Sequence, residues 1–304
     1  MVKFRLKKGY ISYIDRSNGI LKEEQSPNLS WLRWLYSNHL GRASLFLLVK
    51  RKFLSSFYGR LMDKSFSRKY INWFVDSYNV DLSDAVKSIS QFTSFNDFFT
   101  RKLKPGSRIF SSVKSVVSSP VDSKVLVFDK ISDFDSIYIK GKKFSLDSFF
   151  NNSSFADKFR DGSFCVFRLD PHDYHRFHFP FDGRLVSSFS IQGFYYSVSP
   201  IALREYSSIF FENRRSYSLL KSSVFGEVAY CEVGATLVGG IVQTFGKTVF
   251  KKGDEKGFFK FGGSTVVLFF QKDSVKFDSD LLKNSLDGLE TSIKAGESIA
   301  RSIN

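Results

Sequence analysis

Apolar positions along the chain fall into two textures. From about residue 28 to 110 they recur at helical spacing. Asn28 or Ser30 is placed to cap a helix that opens at Trp31. In it Trp31, Leu32, Trp34 and Leu35 form an i, i+3, i+4 stripe. Leu45, Leu48, Val49 and Phe53 continue that spacing in the next segment. A further helix is expected near Lys69 to Tyr78. Another is expected to open at Ser83, with Asp84 in its first turn, where negative charge complements the helix dipole. The stretch from Ser94 to Arg101 comes next, closed by Lys104-Pro105-Gly106.

From about 111 onward the texture is that of β-structure. Val125 to Phe128, Ser163 to Phe167, Val228 to Val233 and Thr265 to Phe270 are short runs rich in Val and Phe. Gly, Asp, Asn and Ser turns separate them. Strands at this spacing predict a sandwich or barrel rather than βαβ units. Residues 1–27 are polar and charged, ending at Ser26-Pro27, and read as a leading arm or an irregular hairpin. The expectation is an α+β protein: arm 1–27, a helical, membrane-associating region 28–110, and a β-rich sandwich or barrel domain 111–304 that carries catalysis.

Charge sharpens the reading of the helical part. The 304 residues carry a formal net charge of +15, which points to a polyanionic partner, nucleic acid or an anionic membrane. Between Glu24 and Asp63 there is no acidic residue, while Arg33, Arg42, Lys50, Arg51, Lys52 and Arg60 fall in that stretch. An apolar stripe flanked by unopposed basic charge suits a helix lying on anionic lipid. The plainer alternative is a set of amphipathic helices packed on a core. The longest clean apolar run, Leu45 to Val49, is far short of the roughly 20 residues a spanning helix needs, so a soluble or peripheral protein is expected. The opening residues have no apolar signal-peptide core. Cys165 and Cys231 lie far apart, outside any CxxC pair, and fit a reduced compartment. The 36 Phe residues read as core filler. No zinc finger, RNA-binding block or dense basic-aromatic stripe supports a nucleic-acid partner.

Three segments hold candidate chemistry. His172, His175 and His178, three of the four histidines, crowd into seven residues. Such a cluster serves a metal or proton transfer, or is structural. Pro171 and Pro180 bracket it, and Phe177 and Phe179 alternate around His178, which reads as strand. His175 and His178 are then an odd number apart and fall on opposite faces, so they do not naturally share a zinc ion, and no metal is expected. The second segment is Phe261-Gly262-Gly263-Ser264-Thr265, directly before an apolar run. It is either a tight turn or a place where the Gly263 carbonyl lies open to the Ser264 hydroxyl. Serine needs a base for that, which a histidine can supply and a carboxylate can orient. The third, Ser119-Pro120-Val121-Asp122-Ser123, reads alone as a turn.

Taken in order, the motifs resemble the phosphatidylserine decarboxylase family over about residues 30–300. Phe95 to Gly106 is similar to its FNEFFTR-L-PG block, Ser119 to Asp122 to SP-x-D, and Lys140 to Leu146 to KG-x-x-Y/F-S-L. Tyr174 to Pro180 is similar to YHR-x-H-x-P, Asn213-Arg214-Arg215 to NER, and Val233 to Ile241 to VGA-x-x-VG-x-I. Lys252 to Gly257 resembles KG-x-E-x-G leading into the cut. Ser123 stands where the family has Gly, Arg214 replaces the glutamate of NER, and Gly-Gly-Ser-Thr stands where Leu-Gly-Ser-Thr is common. The resemblance implies a proenzyme that cuts itself between Gly263 and Ser264, giving a β chain 1–263 and an α chain 264–304. It implies a self-cleavage triad of Asp122, His178 and Ser264, and a covalent pyruvoyl cofactor made from Ser264 that forms a Schiff base with the substrate. It assigns His175 to decarboxylation. The implied substrate is phosphatidylserine in an anionic membrane, reached by a peripheral enzyme on the cytoplasmic face of the cell membrane. The implied assembly is an αβ heterodimer that itself pairs, with no nucleic acid.

Overall fold

The computed structural model describes residues 12–24, 52–131, 145–194, 196, 212–234, 240–262 and 264–303. The expected helix from Trp31, the run Leu45 to Val49, most of the KG-x-x-F-S-L block and Gly263 lie outside the described residues.

In chain order the elements are β1 (Ser12–Asp15), β2 (Ile20–Glu23), α1 (Lys52–Met62), α2 (Tyr70–Tyr78), α3 (Phe95–Phe99), β3 (Val116–Ser118) and β4 (Ser123–Phe128). Next come α4 (Leu146–Phe150), α5 (Ser153–Asp157), β5 (Ser163–Leu169), β6 (Arg176–His178), β7 (Gly183–Ile191), β8 (Arg215–Ser222) and β9 (Gly226–Gly234). The chain ends with β10 (Ile241–Gln243), β11 (Val249–Phe250), β12 (Glu255–Phe259), β13 (Ser264–Phe270), β14 (Val275–Phe277), α6 (Ser279–Leu286), β15 (Glu290–Ile293) and β16 (Ser298–Ser302).

The protein is a β-rich α+β fold built on one large mixed sheet. Its strand order is β11-β7-β8-β9-β13-β5-β4-β15-β1-β2, antiparallel except where β1 runs parallel to β15. Period-two alternation sorts its side chains onto two cores. On one face Leu126, Phe128, Phe164, Val166, Val267 and Phe269 meet α4, α5 and Phe159. On the other face Val125, Val127, Cys165, Phe167, Val266, Leu268 and Phe270 meet two three-stranded sheets, β10-β12-β6 and β14-β16-β3. The predicted sandwich is therefore realised on one face of the large sheet, and helices cover the other. β13 is buried along its whole length and paired on both edges, which explains why Thr265 to Phe270 reads as an unbroken apolar run.

The polar arm folds as the hairpin β1–β2, antiparallel through the turn at residues 16–19, and completes the sheet edge. The helix expected near Lys69 to Tyr78 is α2, ended by Asn79 in the left-handed conformation. The helix expected from Ser83 is absent. Asp81 Oδ1 accepts from Ser83 N at 2.8 Å, an Asx turn that competes with helix for the backbone N–H. Ala85 then bridges to Leu103, and Asp84 turns its carboxylate to Arg108.

The helices have their own core of Met62, Ile71, Phe74, Val80, Phe92, Phe95, Phe98 and Phe99. That core is closed by Phe261, from the segment leading into β13. The helical region thus packs directly on the residues before Ser264.

Candidate active site

Ser264 opens β13, opposite Leu169 of β5 and Gly234 of β9. Its even parity with Val266, Leu268 and Phe270 aims its Cβ at the face covered by the β10-β12-β6 sheet. The side chain is fully buried, and among the described residues its Oγ has no hydrogen-bond partner.

β6 carries the histidine segment on that covering sheet. It pairs antiparallel with β12, with His178 opposite Glu255 and Phe177 opposite Gly257. A Cβ on Gly257 would collide with Val242 O and lie 2.6 Å from the Phe177 ring, so only glycine lets β6 sit this close. Lys256, in the irregularity between Glu255 and Gly257, reaches down to Glu232 of β9 at 2.5 Å and to Gln243 at 2.9 Å. This buried ion pair fastens the small sheet over the large one.

The two candidate histidines are set up alike. His175 Nδ1 lies 2.9 Å from Asp173 O, and His178 Nδ1 lies 2.9 Å from Gly253 O. A carbonyl only accepts, so in each ring Nδ1 carries the proton and Nε2 presents a lone pair. The Tyr174 hydroxyl is 3.3 Å from His178 Nε2. His175 Nε2 is buried with no partner among the described residues. Burial lowers the proton affinity of both rings, His175 to about 4. For His178 the Gly253 carbonyl, Glu255 and Asp122 oppose that effect without reversing it. Both rings are neutral near pH 7, as a base must be.

Asp122 comes close to the histidine segment through the backbone, because His178 N donates to Pro120 O at 2.9 Å. Its carboxylate, however, is held elsewhere. Oδ1 accepts from Arg108 Nε at 2.8 Å and from Ala295 N at 2.9 Å, and Oδ2 accepts from Arg108 Nη2 at 2.5 Å. Among the described residues no hydrogen bond joins Asp122 to His178; Gly253 O occupies the position at Nδ1. Among them, too, no group of three His, Cys, Asp or Glu is arranged to hold a metal ion.

The helical region supplies the remaining wall. Phe99 packs on His175 with ring centroids 4.0 Å apart, and on Phe261 at 5.1 Å. Asn96 Oδ1 accepts from Phe261 N at 2.9 Å. Arg101 Nη2 donates to His172 O and Asp173 O.

Residues 95–301 match the phosphatidylserine decarboxylase family model. The chain belongs to the phosphatidylserine decarboxylase family. It is 45% identical to a phosphatidylserine decarboxylase proenzyme of Fusobacterium nucleatum, over 94% of this chain and 96% of the relative. Proenzymes of the same name from Clostridium tetani and Clostridium botulinum are 44% and 43% identical, over 96% and 95% of this chain and 98% of each relative.

Within this family frame, Asn96, Phe99, Arg101, Arg108 and Gly253 are contacts that sequence reasoning did not single out. A signal was present: Asn96 and Arg101 are polar residues inside a Phe-rich run, and both prove buried. Polar side chains in such a run need partners, and the partners are the cleavage segment and the histidine loop.

Proposed function

We propose that this chain is a phosphatidylserine decarboxylase proenzyme that matures by cutting itself between Gly263 and Ser264. The observation that carries the proposal is the buried, unpartnered Ser264 Oγ facing the sheet that holds neutral His178, with neutral His175 just before it in the chain. A buried hydroxyl that no native bond satisfies, at the head of β13 and directly after Gly263, is free to react with the preceding carbonyl.

In this reading His178 Nε2 takes the Ser264 hydroxyl proton, and Oγ adds to the Gly263 carbonyl to give an ester. Loss of the Ser264 Cα proton expels the Gly263 carboxylate. Water then hydrolyses the dehydroalanine, releasing ammonia and leaving a pyruvoyl group at residue 264. Gly253 O orients the imidazole through Nδ1–H. Asp122 contributes charge that favours the imidazolium, at longer range than in a hydrogen-bonded triad. The site fits the group: the head of β13 lies between two ladders, beside Gly234, and His175 presents a buried, unpartnered nitrogen packed on Phe99, which also packs on Phe261 three residues before Ser264. The pyruvoyl ketone supplies an electron sink for loss of carbon dioxide from the serine headgroup. His175 then moves a proton at the reacting carbon. Phe99 and Phe261 keep water from it.

After the cut the α chain stays bound. β13 is laddered to β5 and β9, β15 to β4, and β16 to β3, all in the β chain. The αβ pair is thus held by the sheet itself, and the proposed pairing of two such heterodimers would be a separate interface. The membrane surface of this reading lies on the helices. Phe57 and Trp73 are more than half exposed, with Phe66 and Tyr70 beside them in sequence among Arg60, Lys64, Arg68 and Lys69. Aromatic side chains among cations suit an anionic leaflet at the cytoplasmic face. Among the described residues no helix is long and apolar enough to cross a membrane.

Intact-mass measurement tests the proposal. Wild-type protein gives residues 1–263 and a 264–304 fragment with a blocked N-terminus, while Ser264→Ala and His178→Ala remain single chains. His175→Ala splits and releases little carbon dioxide from phosphatidylserine. A Ser264→Ala chain that still divides would sink the mechanism.

A further inference from the structure

We propose that Arg101 is the receptor for the phosphodiester of the lipid headgroup, a role resting on the decarboxylase reading above. Arg101 is only 6% exposed, yet among the described residues no carboxylate pairs with it. Its Nη2 donates to two backbone carbonyls, His172 O at 2.9 Å and Asp173 O at 3.3 Å, while Nε and Nη1 are buried and unpartnered. The nearby acids are already engaged: Asp122 by Arg108 and Ala295 N, and Asp173 by Asp170 N at 2.7 Å. A desolvated guanidinium with idle donors is costly, and an anion that enters the site offsets that cost.

The location identifies the anion. Asp173 O is shared: it accepts from Arg101 Nη2 and from His175 Nδ1, so the idle cation sits beside the histidine assigned to the decarboxylation step. A phosphatidylserine headgroup brings two anions, a carboxylate and a phosphodiester. Pairing Arg101 with the carboxylate would favour the ground state, because that charge disappears as carbon dioxide leaves. The phosphodiester persists from substrate to product, and a guanidinium matches its geometry. Arg101 therefore anchors the headgroup and leaves the carboxylate in the apolar surroundings of Phe99 and Phe261. The Phe-rich block Phe95 to Arg101 then has two duties, one toward the cleavage segment and one toward substrate.

The test uses processed wild-type protein, Arg101→Gln and Arg101→Lys, with three soluble probes measured by calorimetry. Glycerophosphoethanolamine carries the phosphodiester, serine carries the carboxylate, and ethanolamine carries neither. Wild type is expected to prefer glycerophosphoethanolamine over ethanolamine by about 10- to 100-fold, the value of hydrogen bonds to a charged group, and Arg101→Gln to lose that preference. Arg101→Lys keeps part of it. For phosphatidylserine in phosphatidylcholine vesicles, KM rises by a similar factor in Arg101→Gln and kcat falls by less, the signature of lost uniform binding. The proposal is overturned if Arg101→Gln keeps the preference, or if it loses serine binding instead. It is also overturned if neither variant matures, which would make Arg101 a support of the histidine loop alone. Wild-type protein that neither divides nor releases carbon dioxide would bring down the decarboxylase reading and this proposal with it.

Discussion

Asn96→Ala is expected to slow self-cleavage while leaving every catalytic group in place. Asn96 Oδ1 holds Phe261 N at 2.9 Å, and Nδ2 donates to Gly59 O at 3.2 Å and Asp63 Oδ1 at 2.9 Å. The amide therefore ties the segment two residues before the scissile bond to α1 and α3. Alanine leaves the Phe261 N–H and the Gly59 carbonyl without partners. At about 1–3 kcal/mol for each buried unsatisfied group, the folded state loses roughly 2–6 kcal/mol. Only the Phe261 tether bears on the reacting carbonyl. Its share, about 1–1.5 kcal/mol, corresponds to cleavage slowed by roughly tenfold if it is fully expressed in the barrier.

The assay tracks the precursor, made by in vitro translation, into its 1–263 and 264–304 pieces on a denaturing gel. Asn96→Asp is the control. It keeps an acceptor for Phe261 N, but loses the donor to Gly59 and sets a second carboxylate against Asp63, so it destabilises without cutting the tether. Asn96→Asp is expected to cleave faster than Asn96→Ala at equal loss of Tm. Cleavage of Asn96→Ala at the wild-type rate would refute the tether, as would rates of both variants that simply track Tm.

Three further outcomes are expected. Glu232→Gln or Lys256→Met alone strands one member of the buried pair and costs about 3–5 kcal/mol, whereas the Lys256→Met/Glu232→Leu double variant recovers most of it in thermal unfolding. His175 binds its proton at about 4 when folded against 6.5 in the open chain, so stability is full above about pH 6.5 and declines by about 3 kcal/mol as pH falls to 4; Ser264→Ala/His175→Gln, compared with Ser264→Ala in denaturant titrations, should show a shallower decline. Gly253→Ala forces a side chain onto a φ of +89° and a Cβ to 3.0 Å from the Phe110 ring, at about 1–3 kcal/mol; it shifts the carbonyl that fixes the His178 tautomer, so cleavage slows and the imidazole nitrogen NMR signals move toward the other tautomer.

The sequence was most legible where period and burial agree. β4, β5, β9 and β13 were readable because strands buried on both faces are written as continuous apolar runs. The segment at Ser83 misled because capping residues are also turn residues, and Asp81 decided between them through a side-chain bond that no periodicity records. The segregation of β6 and β12 into a separate small sheet was not legible. It depends on Gly257 admitting Phe177 and on the Lys256–Glu232 pair, contacts between residues far apart in sequence. For the site, clustering marked the histidines and family blocks marked Ser264 and Asp122. The tautomers were not readable, since they are set by the carbonyls of Asp173 and Gly253. Nor was Arg108, whose hold on Asp122 exists only once the segment after Gly106 folds back on the SP-x-D loop.

The position of Ser264 also dictates the order of events. Its hydroxyl faces the histidine sheet only after β13 has zipped between β5 and β9 and the β10-β12-β6 sheet has closed over it. Those contacts are long-range, so folding must precede cleavage. In the proposed mechanism the base that awaits the hydroxyl is weak, because burial lowers the proton affinity of His178 and the Asp122 carboxylate is committed to Arg108. A weak base suffices for a reaction each molecule performs once. It also suits the decarboxylation that the matured site carries out, since the same desolvation that weakens the histidines surrounds a departing carboxylate with few groups able to hold its charge. With Asp122 released onto the imidazole the base would be stronger and cutting faster. In that mechanism the Arg108–Asp122 pair limits the speed of maturation. Replacing Arg108 with a neutral residue should therefore speed cutting, read as faster loss of the intact chain on a denaturing gel; an unchanged rate would refute this role.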